Sequence, residues 1–118
     1  MPIQIFGVKD LPACRAADRF FKERRAEIQV VDLKKRPMAA GEIRRFIERF
    51  GLQGLLDSEG QAFEAAGLKY MRLSETDLLV RIEREPKLLR LPLVRCGGKL
   101  SIGQDEDAWK AMLAAPAK

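Results

Sequence analysis

The chain has 118 residues, 47% of them hydrophobic, which suffices for one ordinary core and is short for two independent domains. Its 22 lysines and arginines against 17 aspartates and glutamates leave a net charge of +5, with both signs interleaved as in Arg24-Arg25-Ala26-Glu27 and Arg81-Ile82-Glu83-Arg84-Glu85. The absence of histidine excludes Ser-His and Cys-His catalysis and most zinc sites, and two irregularly placed cysteines, Cys14 and Cys96, do not make a disulfide framework.

The first apolar run, residues 2 to 6, reads as a strand bounded by the turn Gly7-Val8-Lys9-Asp10. Pro12 suits the first position of the helix that follows, where its missing N–H costs nothing, with Asp10 or Leu11 near the N-cap. Ala13, Ala17, Phe20 and Phe21 line one helical face, and Ile28-Gln29-Val30-Val31-Asp32 is a second strand. A strand, helix and strand joined this closely form a βαβ unit with parallel strands. Ile43, Phe46, Ile47 and Phe50 then recur at helical spacing until Gly51 stops them. Ala62 to Ala66 is a short helix ending at Gly67. Ser74 and Asp77 resemble a capping box opening a helix through Leu78, Leu79 and Ile82, which must end before Pro86. Leu91 to Cys96 is a third strand, Gly97-Gly98 a hairpin turn and Lys99 to Ile102 a fourth strand. Asp105 caps a final helix carrying Ala108, Trp109, Met112 and Leu113 on one face.

The order is therefore βαβ, a helical insertion of three helices, ββ and α. This is the thioredoxin-like, glutaredoxin-like layout of the α/β class, with a mixed four-stranded sheet in a single domain spanning residues 1–118. No basic segment followed by an apolar run opens the sequence, and no apolar window is long enough to cross a bilayer. A soluble cytoplasmic protein without membrane contact is expected. Nucleic-acid binding would need a basic stripe with stacking aromatics, whereas Phe20, Phe21, Phe46 and Phe50 fall at core spacing. Direct contact with nucleic acid is not expected.

Cys14 lies in the first turn of the first helix, where unpaired amides and the helix dipole favour a thiolate, with Lys9 and Arg15 close in sequence. The other reading is a small buried residue beneath the helix. The residues leave both open.

Ile5-Phe6-Gly7-Val8-Lys9, Val31-Asp32-Leu33, Leu55-Leu56 to Gly67-Leu68, and above all Leu89-Arg90-Leu91-Pro92-Leu93-Val94 with Gly98-Lys99-Leu100 and Gly103 carry a resemblance over nearly the whole chain. It resembles the arsenate reductase (ArsC), Spx and YffB family, thioredoxin-fold proteins with a helical insertion. The resemblance implies a cis peptide bond before Pro92, placed beside the thiol of the first helix. It also implies a nucleophilic cysteine five residues after the aromatic residue that ends the first strand. Counted from Phe6, that position is Leu11, which cannot attack anything. Cys14 stands at the place of the second, resolving cysteine of the C-x-x-C form. Aligning Pro12-Ala13-Cys14 with the proline-alanine-cysteine run of arsenate reductases instead requires a three-residue shift of the turn.

The family's oxyanion-binding arginines have no direct counterparts. Asp57 and Glu59 stand at two of the positions, Leu91 precedes Pro92 with Arg90 displaced by one residue, and no arginine lies near Ser101-Ile102. A carboxylate in place of a guanidinium reverses the charge offered to an anion and removes its bidentate fork. Arsenate reduction is therefore not expected.

The resemblance implies a thiol-disulfide oxidoreductase with a degenerate site, in which Cys14 is the redox residue and Leu11, Arg15, Arg90 and Pro92 line the substrate position. On that reading no bound cofactor is expected, and glutathione or a protein thiol is the expected co-substrate. The alternative is a non-catalytic, Spx-like regulatory protein that contacts a protein partner such as RNA polymerase. About 13 Å of strand separates Pro92 from Cys96, so no Cys14–Cys96 disulfide is expected, and Cys96 reads as structural. Lys34-Lys35-Arg36 reads as a solvated loop, and Trp109 as packing.

Overall fold

The computed structural model describes residues 3–57, 60–70 and 74–114. The elements follow in the order β1 (Ile3–Gly7), α1 (Pro12–Glu23), β2 (Ile28–Asp32), α2 (Ala40–Phe50), α3 (Leu52–Leu55), α4 (Gln61–Ala65), α5 (Glu75–Arg84), β3 (Leu93–Cys96), β4 (Lys99–Ile102) and α6 (Glu106–Ala114). Single 3₁₀ turns lie at Leu68–Tyr70 and Pro86–Leu88. The chain divides into two compact units, one made of the segments up to Arg36 and from Leu91 onward, the other of Pro37–Arg90.

In the first unit the sheet order is β2-β1-β3-β4. β1 pairs parallel with β2, from Ile3 opposite Ile28 to Gly7 opposite Asp32, and antiparallel with β3, which pairs antiparallel with β4. The α/β thioredoxin-like layout read from the sequence is thus present, with a mixed sheet. Ile3, Ile5 and Val94 on the sheet pack with Ala17, Phe20 and Phe21 of α1 and with Trp109 and Met112 of α6. Phe20, Phe21 and Trp109 form an aromatic trio with ring centroids 5.2 to 5.8 Å apart in edge-on and tilted geometry, the arrangement that ring quadrupoles favour. Trp109 is wholly buried, as its spacing predicted.

α1 begins at Pro12 and buries Cys14, Ala17, Phe20 and Phe21. It ends without a glycine. The Arg25 amide donates to the Lys22 carbonyl and the Ala26 amide to the Phe21 carbonyl, a Schellman closure that holds Arg25 at φ 57°. An L side chain in this left-handed region costs about 1–2 kcal/mol. Arg24 offsets part of this cost, since its guanidinium stacks 3.7 Å over the Phe20 ring and donates to the Phe20 carbonyl.

In the second unit α2 buries Ile43 and Phe46, and Gly51 at φ 78° closes it by donating to the Ile47 carbonyl. Ser74 Oγ accepts the Asp77 amide at 3.1 Å, capping α5, which buries Leu78 and Ile82 and stops ahead of Pro86. Leu56 and Leu89 form an antiparallel bridge, framed by hydrogen bonds from the Asp57 amide to the Leu88 carbonyl and from the Arg90 amide to the Leu55 carbonyl.

The structure corrects several sequence expectations. Among the described residues the insertion has four helices, because a one-turn helix, α3, follows Gly51 directly. β3 starts at Leu93 rather than Leu91, since Pro92 has no N–H to give the ladder. It is an interior strand of the sheet, and Pro92 directly precedes it. Arg90 lies outside any strand. Leu113 is 37% exposed and does not share the burial of Trp109 and Met112. Pro2 lies outside the described residues, and β1 runs one residue further, to Gly7.

Candidate functional site

The end of β1 and the first turn of α1 bring three sequence-predicted positions close in the chain. Leu11 is the N-cap of α1, extended at φ −89° and ψ 130°, with no side-chain cap. Its carbonyl accepts from both the Cys14 and the Arg15 amides at 3.1 Å. Pro12 has no N–H, so these two bonds leave Ala13 with the one first-turn amide not engaged in this way. The donors that would stabilise a thiolate are largely committed already.

Cys14 is 7% exposed. Burial pushes its thiol above the ordinary value; a backbone hydrogen bond with Val8 and the Arg15 charge oppose this, while the Asp10 carboxylate adds to it. Desolvation is the largest of these influences, so the helix N-terminus does not deliver the depressed pKa that a nucleophile needs at neutral pH. Arg15 is exposed and donates from Nη1 to the Lys9 carbonyl at 3.3 Å.

Pro92 is buried, and the Leu91–Pro92 peptide is cis, as the resemblance implied. A Cβ built on Gly7 would stand 2.7 Å from Cys14 Sγ and 3.7 Å from Pro92 Cβ. The thiol and the proline therefore converge on the bare Cα of Gly7. The sequence reading missed this residue, although a glycine at the strand end next to the thiol segment was the available signal.

Arg90 belongs to the second unit, where its Nε donates to the Leu56 carbonyl at 3.0 Å. Asp57 also lies there, half-buried, and Glu59 is outside the described residues. Ser101 is 2% exposed. Cys14 and Cys96 are both free thiols. Among the described residues, no group of three or more acidic or cysteine side chains could hold a metal ion. No described helix is long and apolar enough to cross a membrane.

Cys14 also lines an open groove of about 400 Å³ between α1 and β2, whose floor includes Ile5, Val8 and Val30. The sequence reading did not anticipate it, because strand periodicity does not say which strand face a helix leaves uncovered.

Comparison with known proteins places this geometry in context. The model of the ArsC family matches residues 6–112. The global transcriptional regulator Spx of Streptococcus pyogenes serotype M1 is 22% identical over 114 residues, covering 95% of this chain and 85% of the relative. Among solved structures, a YffB protein superposes with a TM-score of 0.83 at 22% identity, covering 95% of this chain and 99% of its own. The arsenate reductase of Vibrio cholerae superposes with a TM-score of 0.77 at 18% identity, covering 93% and 97%. At these identities the structural likeness establishes the fold alone.

Proposed function

The chain belongs to the ArsC family, and on that premise we propose that it is a non-catalytic member, a thioredoxin-fold protein that acts by binding a protein partner rather than by reducing arsenate or exchanging disulfides. The observation that carries this reading is the state of its one candidate thiol: Cys14 is 7% exposed, and burial raises its pKa. Leu11 occupies the position that the resemblance gives to the nucleophile, and Asp57 one of those it gives to an oxyanion-binding arginine. The sequence ranked thiol chemistry first and partner binding second; the burial of the thiol and the upward direction of its pKa support the opposite order. RNA polymerase is the partner class that the resemblance to Spx implies.

Two experiments test this. Binding of purified wild-type protein and Cys14→Ala to RNA polymerase should be measurable and equal, because the thiol takes no part in it; no binding by either removes this partner. Incubated with oxidised glutathione, the Cys96→Ser protein should remain unmodified by intact mass over a period in which a free cysteine peptide reacts. A rapid adduct would overturn the non-catalytic reading.

One observation favours a second reading, monothiol exchange: Cys14 lines an open groove. In that chemistry the Cys14 thiolate attacks one sulfur of oxidised glutathione, a mixed disulfide forms, and one glutathione thiolate leaves. An external thiol would then release the second glutathione and restore Cys14. The raised pKa makes the attacking species scarce at neutral pH.

A further inference from the structure

We infer that the groove between α1 and β2 is a binding site for a small apolar carboxylate, a ligand-binding function separate from both partner binding and thiol chemistry. β2 is an edge strand, and Val30 stands in register with Ile5 while remaining 51% exposed. An apolar side chain is thus left open beside buried neighbours, over a cavity of about 400 Å³. That size falls within the range of about 300–1,000 Å³ typical of small-molecule sites, which combine apolar walls with a few polar groups.

The charges around the groove select the ligand. Asp18 is paired with Lys22 at 3.1 Å, so that pair is internally neutral. At the end marked by Gly7 and Val8, Asp32 Oδ1 accepts the Lys34 amide, and Asp10 is paired with the Lys34 ammonium at 3.1 Å. Two cations line the same end. The Lys9 ammonium has no hydrogen-bond or ion-pair partner among the described residues, and Arg15 uses one N–H of its fork on the Lys9 carbonyl. An anionic head group would satisfy Lys9 and the remaining donors of Arg15, while an apolar body covers Val30. An uncharged apolar ligand would leave those cations unanswered, and a dianion would meet the Asp32 carboxylate.

The test uses octanoate, with octanamide as its uncharged counterpart, followed by amide chemical shifts in ¹H–¹⁵N NMR spectra of the full chain. Saturable shifts are expected at Val8, Lys9, Cys14, Arg15 and Val30 with octanoate. Octanamide should bind about fivefold more weakly, the upper worth of one exposed ion pair. Arg15→Gln, at an exposed position, should weaken octanoate about fivefold by the same reasoning, and Val30→Asp should abolish the shifts. If Val30→Asp fails to fold, Arg15→Gln decides alone. No saturable shifts, shifts centred elsewhere, or equal binding of the two probes would overturn the proposal.

Discussion

Gly7→Ala tests the convergence of Cys14 and Pro92 on the end of β1. The φ of Gly7 lies outside the left-handed region, so the backbone accepts alanine, and the change alone should stabilise by about 0.4–1 kcal/mol through the unfolded chain. The new Cβ, however, would stand 2.7 Å from Cys14 Sγ, closer than real Cβ contacts come, so the thiol or the strand must move. Overpacking of this kind costs about 1–3 kcal/mol. With Cys14 present the clash outweighs the entropy gain, and Gly7→Ala should destabilise by about 1–2 kcal/mol. In a Cys14→Ala background the nearest atom becomes the residue-14 Cβ at 3.3 Å, a tight contact that a small shift relieves. There Gly7→Ala should be near neutral or slightly stabilising. Urea unfolding of the four proteins gives the double-mutant cycle, with an expected coupling of at least about 1 kcal/mol. An equal cost of Gly7→Ala in both backgrounds would refute the claim that the thiol fills the space against Gly7.

Other expectations follow from the packing and the caps. Arg25→Gly, at φ 57°, should stabilise the fold by up to about 1 kcal/mol in urea unfolding. Ser74→Ala removes the cap of α5 and should cost about 1 kcal/mol in the same assay. Trp109→Ala empties the aromatic trio and should cost about 3–5 kcal/mol, which risks unfolding at ordinary temperature. The raised Cys14 pKa makes folding stability fall as pH rises through the range where the unfolded thiol ionises and the native one does not. Wild-type stability should therefore drop more than that of Cys14→Ala above about pH 8.5, with no difference between their slopes at pH 6–7.

Most of the fold was legible because its signals are local. Gly51 at φ 78°, Ser74 with the Asp77 amide, and Asp105 accepting the Ala108 amide at 3.1 Å each stop or start a helix with groups a few residues apart. The parallel pairing of β1 and β2 followed from the brevity of the βαβ link. The one-turn α3 was invisible, since four residues carry no period. The site was legible in its residues but not in its state. Cys14 could be located by spacing, yet spacing does not show that its thiol packs against Gly7 at the end of β1, with Pro92 near the same Cα. The uncovered face of Val30 is likewise set by the path of α1 and not by the strand sequence.

The most direct measurement of the central claim is the rate of Cys14 alkylation by iodoacetamide across pH in the Cys96→Ser protein, with the double variant Cys14→Ser/Cys96→Ser as the blank. A non-catalytic member with a buried neutral thiol predicts slow labelling in the native state and a midpoint at or above about 8.5, the free-thiol value. A midpoint clearly below that, in the range of about 3.5–7.5 seen for activated cysteines, would contradict the account.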